Sequence, residues 1–230
     1  MSPSNRKSGD AAGGKPTRRD ILAWGALGPV LLAPGLLGLG ACQLPVPGQG
    51  PPPTLYRLTP KSTFSPDLPT VDWQLLLEVP VADAGLSTTR IALQHSATKL
   101  EYYARASWID SAPLMLQTLM VESFENSRHI VAVGRESVGL RPDFVLKTEL
   151  REFQAEYFEP GAPKVHVVLN AKLVKMPERV IIGSESFEAL SVADLDDMEA
   201  IIAAFDDALG KVLKRLVEWT LLTGERGGAS

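Results

Sequence analysis

Val165-His166-Val167-Val168-Leu169-Asn170-Ala171-Lys172-Leu173 alternates, with Val165, Val167, Leu169, Ala171 and Leu173 on one face and His166, Asn170 and Lys172 on the other. Successive side chains of an extended chain point to opposite faces, so a period of two describes a strand buried on one side. The alternating segment runs from Val165 to Met176, and two others flank it, Phe144 to Phe158 before and Val180 to Leu190 after. Glu159-Pro160-Gly161-Ala162-Pro163 and Pro177-Glu178 separate the three with turn chemistry. Half-buried strands joined by short turns are most simply an antiparallel meander, whose apolar face needs a cover.

Helices on either side in sequence supply that cover. Downstream, Asp196, Asp197 and Glu199 open a long helix whose apolar stripe is Ile201, Phe205, Leu209, Val212, Leu216 and Trp219. Its acids come early and Lys211, Lys214 and Arg215 late, in favour of the helix dipole. Upstream, Asp110 or Ser111 can cap a helix with Pro113 in its first turn, where no amide hydrogen is needed. Leu116, Leu119, Met120 and Phe124 recur there at helical spacing up to about Arg128. Shorter strands are expected at Leu55 to Thr59, at Trp73 to Val79 before Pro80, and at Ile130 to Val133, with a turn-rich link over Gly134 to Arg141. Arg90 to Gln94 and Lys99 to Ser107 form a hairpin around His95-Ser96-Ala97-Thr98. The expected fold class is therefore α/β (α+β): a single domain, a mixed and largely antiparallel β-sheet, and two main helices packed on one face. The opposite face is left partly open or is used for assembly.

The chain has 230 residues, 23 Lys+Arg against 27 Asp+Glu, 45% hydrophobic residues and one Cys. This is an ordinary globular composition, and no repeat of period 20 to 50 suggests a solenoid or propeller. Residues 1–41 carry five basic and two acidic groups, so the remainder has 18 basic and 25 acidic ones. Nucleic acid is not an expected partner, because phosphate binding needs clustered Lys and Arg. Residues 55–224 suffice for one domain with a hydrophobic core and leave little room for a second. Residues 225–230 are expected to be a flexible tail.

Lys15, Arg18 and Arg19 precede an uncharged run, Ile21 to Ala41, rich in Leu but broken by Pro29, Pro34 and several Gly. A basic region, an apolar region and small residues before a junction describe an export signal over residues 1–41, with an uncleaved membrane anchor as the rival. The run ends in Leu39-Gly40-Ala41-Cys42, which resembles the lipobox of bacterial lipoproteins. That resemblance implies cleavage between Ala41 and Cys42, a thioether from Cys42 to diacylglycerol, and an N-acyl chain on the new terminus. These covalent lipids apart, no cofactor is expected. Thr17-Arg18-Arg19-Asp20-Ile21-Leu22 resembles a twin-arginine export motif through Arg18 and Arg19, without its usual aromatic and Lys. Gln43 rather than Asp follows the cysteine, which by the same resemblance implies the outer membrane, facing the periplasm. Residues 42–54 hold five prolines and read as an extended tether, reaching about 30 Å at about 3 Å per residue.

Catalytic signatures are missing from the sequence. There is no G-x-S-x-G, and Gly183-Ser184-Glu185-Ser186-Phe187 has the wrong spacing inside a strand pattern. His95, His129 and His166 fall in a turn, at a helix end and on a strand face, with no HExxH or Cys/His cluster, so no metal is expected. His129 is placed to act as a cation at a helix C-terminus. Asp196/Asp197 and Asp206/Asp207 are helix neighbours pointing to different faces. The segment Gly134 to Gly139 lacks the Lys-Ser/Thr of a phosphate loop. Tyr102, Tyr103 and Trp108, in Glu101-Tyr102-Tyr103-Ala104-Arg105-Ala106-Ser107-Trp108, can form a ligand or partner surface, or can pack under a helix as strand aromatics.

Taken in order, the lipobox, Leu55-Tyr56-Arg57-Leu58, Val79-Pro80 before Ile91-Ala92-Leu93, Tyr103 and Trp108 leading into Pro113-Leu114, Asp143-Phe144-Val145-Leu146 with Leu150-Arg151-Glu152-Phe153, and Ala203-Ala204-Phe205 with Trp219 resemble the ABC-type transport auxiliary lipoprotein family. The resemblance covers nearly all of the mature chain. It implies a non-enzymatic outer-membrane lipoprotein that helps to move phospholipids or other hydrophobic molecules across the periplasm. The implied partners are a lipid-binding protein of the mammalian-cell-entry type and an inner-membrane ABC permease with its ATPase. Some members of that family assemble as rings, which allows a homo-oligomer. The alternative is a cell-envelope scaffold, or a lipoprotein that activates a peptidoglycan synthase, sharing the anchor and the tether.

Overall fold

A computed structural model describes residues 52–135 and 141–228. In chain order the elements are β1 (Thr54–Tyr56), β2 (Leu75–Leu77), β3 (Val81–Ala82), β4 (Arg90–Ser96), β5 (Lys99–Trp108), α1 (Ala112–Ser127), β6 (Val133–Arg135), β7 (Phe144–Glu156), β8 (Lys164–Lys175), β9 (Val180–Val192) and α2 (Met198–Gly228). The fold is α+β, a mixed sheet with two helices among the described residues.

The meander is its spine. β7 pairs antiparallel with β8 along its length, and β8 likewise with β9. Val165, Val167, Leu169, Ala171 and Leu173 are all fully buried, as their alternation requires. The other edge of β7 is shared by three short strands that lie parallel to it in succession: β2 beside Phe144 to Leu146, β3 beside Glu149 and Leu150, β4 beside Gln154 to Glu156. Beyond them β6 lies parallel to β2, while β5 closes an antiparallel hairpin with β4 and carries β1 parallel on its far side. Antiparallel ladders thus hold most of the paired residues, and parallel ones hold the short strands. A register shift between Leu150 and Glu152 inserts Arg151 as an extra residue. Such a bulge flips the side-chain alternation, and the inward set changes from Leu146 and Leu150 to Phe153 and Ala155.

Both helices cover the inward face. α2 lies over β8 and β9, and α1 packs against α2, β2 and β6. The Asp197 carboxylate accepts the Ala200 N–H at 2.8 Å, capping the first turn of α2. Its stripe of Ile201, Phe205, Leu209, Val212 and Leu216 is buried; each such side chain contributes roughly 1.5–3 kcal/mol by leaving water. Trp108 of β5, Phe153 of β7 and Phe205 of α2 meet with ring centroids 5.1 to 5.5 Å apart, joining hairpin, meander and helix.

Several expected boundaries move, each for a local reason. The strand expected to reach Thr59 stops at Tyr56, because the Thr59 N–H and hydroxyl both donate to the Asp206 carboxylate at 2.6 and 2.7 Å. The first strand also begins at Thr54, one residue inside the expected tether. The strand expected at Ile130 to Val133 forms instead at Val133–Arg135, and Ile130 only bridges Val71. Ser111 is the N-cap residue of α1, without a side-chain cap bond. Residues 225–228, expected as tail, are the last turn of α2: Gly227 lies so close to Ile182 of β9 that a Cβ there would fall 2.5 Å from its Cδ1. Lys175 also donates to the Gly227 carbonyl at 2.8 Å.

Candidate functional site

β5 departs from β4 between Tyr102 and Ser107, and a groove of about 550 Å³ opens there, lined by Pro52, Thr54, Tyr56, Tyr103, Arg105 and Met198 among others. The Tyr103 and Tyr157 hydroxyls are 2.9 Å apart, and Tyr157 donates to the Asp196 carboxylate at 2.7 Å. The His95 ring stacks on Tyr157 with centroids 5.1 Å apart. Burial, reinforced by the Tyr157 and Asp196 oxygens, pushes the Tyr103 phenol far above its ordinary range. Burial and then Glu199 raise Tyr56 as well. These rings are neutral hydrogen-bonding walls, suited to apolar or proline-like surface and not to proton abstraction. At the mouth of the hairpin, hydrogen bonds from Lys99 and then His95 hold the Glu101 carboxyl below its usual range.

The three aromatics expected to form one surface are separated. Tyr103 lines the groove. Tyr102 turns to the other side, its hydroxyl donating to the Gly85 carbonyl at 3.1 Å and its ring lying 3.7 Å from the Arg90 guanidinium carbon. Trp108 is 1% exposed, inside the core, so it drops out of any ligand or partner surface. The reason is the helix on top: Phe205 packs edge-to-face on it.

The face of the sheet away from the helices is mostly charged, with an apolar patch at each end. At one end Leu76, Val145 and Val174 pack with Met176 beside the Lys147–Glu78 pair. At the other, Phe158, Pro160, Ala162, Leu190 and Val192 line a groove of about 380 Å³ with Glu156 and Lys164. Between them His166 is held from both sides, Nδ1 2.8 Å from Glu156 and Nε2 2.8 Å from Glu188. Burial opposes charge on this imidazole, but the two carboxylates outweigh it and raise its pKa above the ordinary value. Pairing alone foretells this bracket once both turns are placed, since Gln154 and Leu190 stand opposite His166 and set Glu156 and Glu188 on its diagonals. Tyr157 and Asp196 had no such signal, because the meander and the loop before α2 approach only in the tertiary fold.

Among the described residues no three His, Cys, Asp or Glu side chains gather as a metal would need. His129 lies past the last turn of α1, its ring 3.3 Å from the Thr70 hydroxyl, and Arg128 takes the left-handed cap position. No described helix is long and apolar enough to cross a membrane. Arg18, Arg19, Leu39, Gly40, Ala41 and Cys42 lie outside the described residues.

The sequence profile of the ABC-type transport auxiliary lipoprotein component matches residues 55–217. Protein XCC0632 from Xanthomonas campestris, a solved structure, is similar at 33% identity and a TM-score of 0.74, over 77% of this chain and 99% of that one. A second solved structure, of an uncharacterised protein, shares the fold at a TM-score of 0.53 and 14% identity, over 78% of this chain and 99% of that one. An uncharacterised protein of Bradyrhizobium diazoefficiens is 29% identical over 167 residues, which is 73% of this chain but 44% of that relative. The chain thus matches less than half the length of that relative.

Proposed function

The chain belongs to the ABC-type transport auxiliary lipoprotein family, and from that premise we propose that it is a non-enzymatic lipoprotein of the outer membrane, facing the periplasm. There it assists an ABC permease, its ATPase and a lipid-binding protein of the mammalian-cell-entry type in moving phospholipids or other hydrophobic molecules. The observation that carries this reading is the extent of the family match, from β1 through most of α2. The sequence contains no phosphate-binding loop, so nucleotide hydrolysis falls to a partner chain. Cys42 supplies the anchor. Its acyl chains, at about 0.8 kcal/mol per buried CH₂, together hold a protein durably where one short chain would not.

The partner can dock on an exposed strand edge or on the aromatic hairpin. The structure favours the edge, because Trp108 is withdrawn into the core. Among the described residues β9 pairs only with β8 and presents an edge from Val180 to Val192, with the exposed Leu190 and Val192 at its end. An open edge can receive an extended segment by main-chain hydrogen bonds. Deleting the gene tests the reading: the expected result is altered permeability to hydrophobic compounds or an altered lipid balance between the two membranes. No change in either would remove it.

A further inference from the structure

β9 is 13 residues long and, among the described residues, one of its edges is unpaired throughout. A long open edge is a template for another chain, and proteins usually blunt it with proline, lysine or a short length. β9 has none of these between Val180 and Val192, and its only charges are Glu185 and Glu188. The Glu188 carbonyl takes a hydrogen bond from Arg215 of α2, and a carbonyl has a second lone pair to offer. Apolar side chains stand exposed at both ends of the strand, Val180 and Ile181 at its start, Leu190 and Val192 at its finish. On α2, Leu222 is 45% exposed on the side toward this edge, one turn beyond Trp219, which packs on Phe187, and two beyond Arg215.

Charge is divided along the same axis. On the face of the sheet away from the helices, Lys147 and Lys172 lie side by side near the start of β9, and Lys172 has Ser184 as its β9 neighbour. Glu78 pairs with Lys147, whereas Lys172 makes no ion pair among the described residues. Near the finish of β9 the same face carries Glu152, Glu156 and Glu188, which outnumber Lys164 and His166. One end of the face is therefore positive and the other negative, with an apolar patch at each.

We propose that this edge receives a second copy of the chain, β9 against β9, antiparallel about a two-fold axis at Ser186. Ser186 is the midpoint of Val180 to Val192, so this register pairs the two strands over their whole length. It sets Leu190 and Val192 of one copy against the segment from Val180 to Ile182 of the other, and Glu188 against Ser184. A slip of one residue sets Glu188 against Glu185 instead, and like charges directly opposite are destabilising. Lys172, beside Ser184, then has Glu188 of the other copy two strands away, about 10 Å between strand axes and within reach of its long side chain. The two-fold axis lays the positive end of each face beside the negative end of the other. α2 lies over β8 and β9, so the two α2 helices flank the joint on the opposite face, each with its Leu222 toward it. One β9 edge serves a second copy or an extended segment of a transport partner, not both, so the dimer is the form of the protein away from that partner. The association stands whatever the cargo, and whether or not Cys42 is acylated.

The test is mild oxidation of the purified full-length protein carrying Ser186→Cys, compared with Ser184→Cys, with the unsubstituted chain as the blank for Cys42. Directly opposed residues of antiparallel strands have Cα atoms about 4.5–5.5 Å apart, inside the roughly 7 Å that a disulfide spans. The two copies of position 184 stand four residues out of register, about 14 Å apart. The expected result is a covalent dimer of Ser186→Cys forming at least about tenfold faster than that of Ser184→Cys. The unsubstituted protein should sediment with the mass of two chains. Leu190→Lys together with Val192→Lys, at exposed positions where lysine blocks an edge without touching the core, should return it to one chain and remove the disulfide. Equal rates at positions 184 and 186, an unsubstituted protein of one chain, or a dimer that survives both lysines would overturn the proposal.

Discussion

Trp108 and Phe205 meet edge-to-face, ring centroids 5.1 Å apart and planes at 84°, at the point where the β4–β5 hairpin, the meander and α2 converge. Phe153 completes the group at 5.5 Å from Trp108 and 5.1 Å from Phe205. Trp108→Ala or Phe205→Ala should each cost about 3–5 kcal/mol of unfolding free energy. The double variant should lose less than the sum, because the two share one cavity. Urea unfolding of the four proteins measures this.

Two glycines of α2 should respond to alanine with opposite signs. Gly210 has only the flexible Lys61 side chain near its would-be Cβ, at 4.0 Å. Gly210→Ala should therefore gain up to about 1 kcal/mol of helix propensity. At Gly224 the Cβ would fall 2.5 Å from the Trp73 ring, itself wedged edge-on against Phe144. Gly224→Ala should lower the melting temperature, since overpacking a rigid ring costs about 1–3 kcal/mol. Parallel thermal melts of the two variants check both signs.

His166 makes stability depend on pH. Burial works against its charge, but Glu156 and Glu188 prevail, so the folded protein holds the proton more tightly than the unfolded chain does. The stabilisation from this bracket is fully present below the unfolded value of about 6.5 and is lost as pH rises through the higher folded value. His166→Gln should flatten the fall in unfolding free energy above about pH 6.5. Curves for parent and variant that run parallel through that range would show that the bracket contributes nothing.

Cys42→Ser should block acylation and the cleavage that follows it. Labelled palmitate should enter the parent and not the variant, and the variant should persist at the higher mass of its uncut signal. Equal labelling of both would place the lipid elsewhere.

The parts of the fold that were legible were those with a repeating pattern. Val165 to Leu173 and the stripe from Ile201 to Leu216 each state their own period, and each is buried on the face so marked. What could not be read was pairing between pieces too short to have a period. β2 and β6 have three residues each and β3 has two, and nothing in Leu75-Leu76-Leu77 says that it lies parallel to β7. Trp108 illustrates the same limit at the candidate site. Its neighbours Tyr102 and Tyr103 lie on opposite faces as alternation demands, but its burial is decided by Phe205, 97 residues away in sequence.

A mild-detergent pull-down of the mature protein from its own envelope, with mass spectrometry of the proteins and lipids recovered, tests the transport partnership. The expected result is co-purification of a mammalian-cell-entry type protein with an ABC permease. Recovery of peptidoglycan synthases without either would contradict that partnership and favour an activator of cell-wall synthesis.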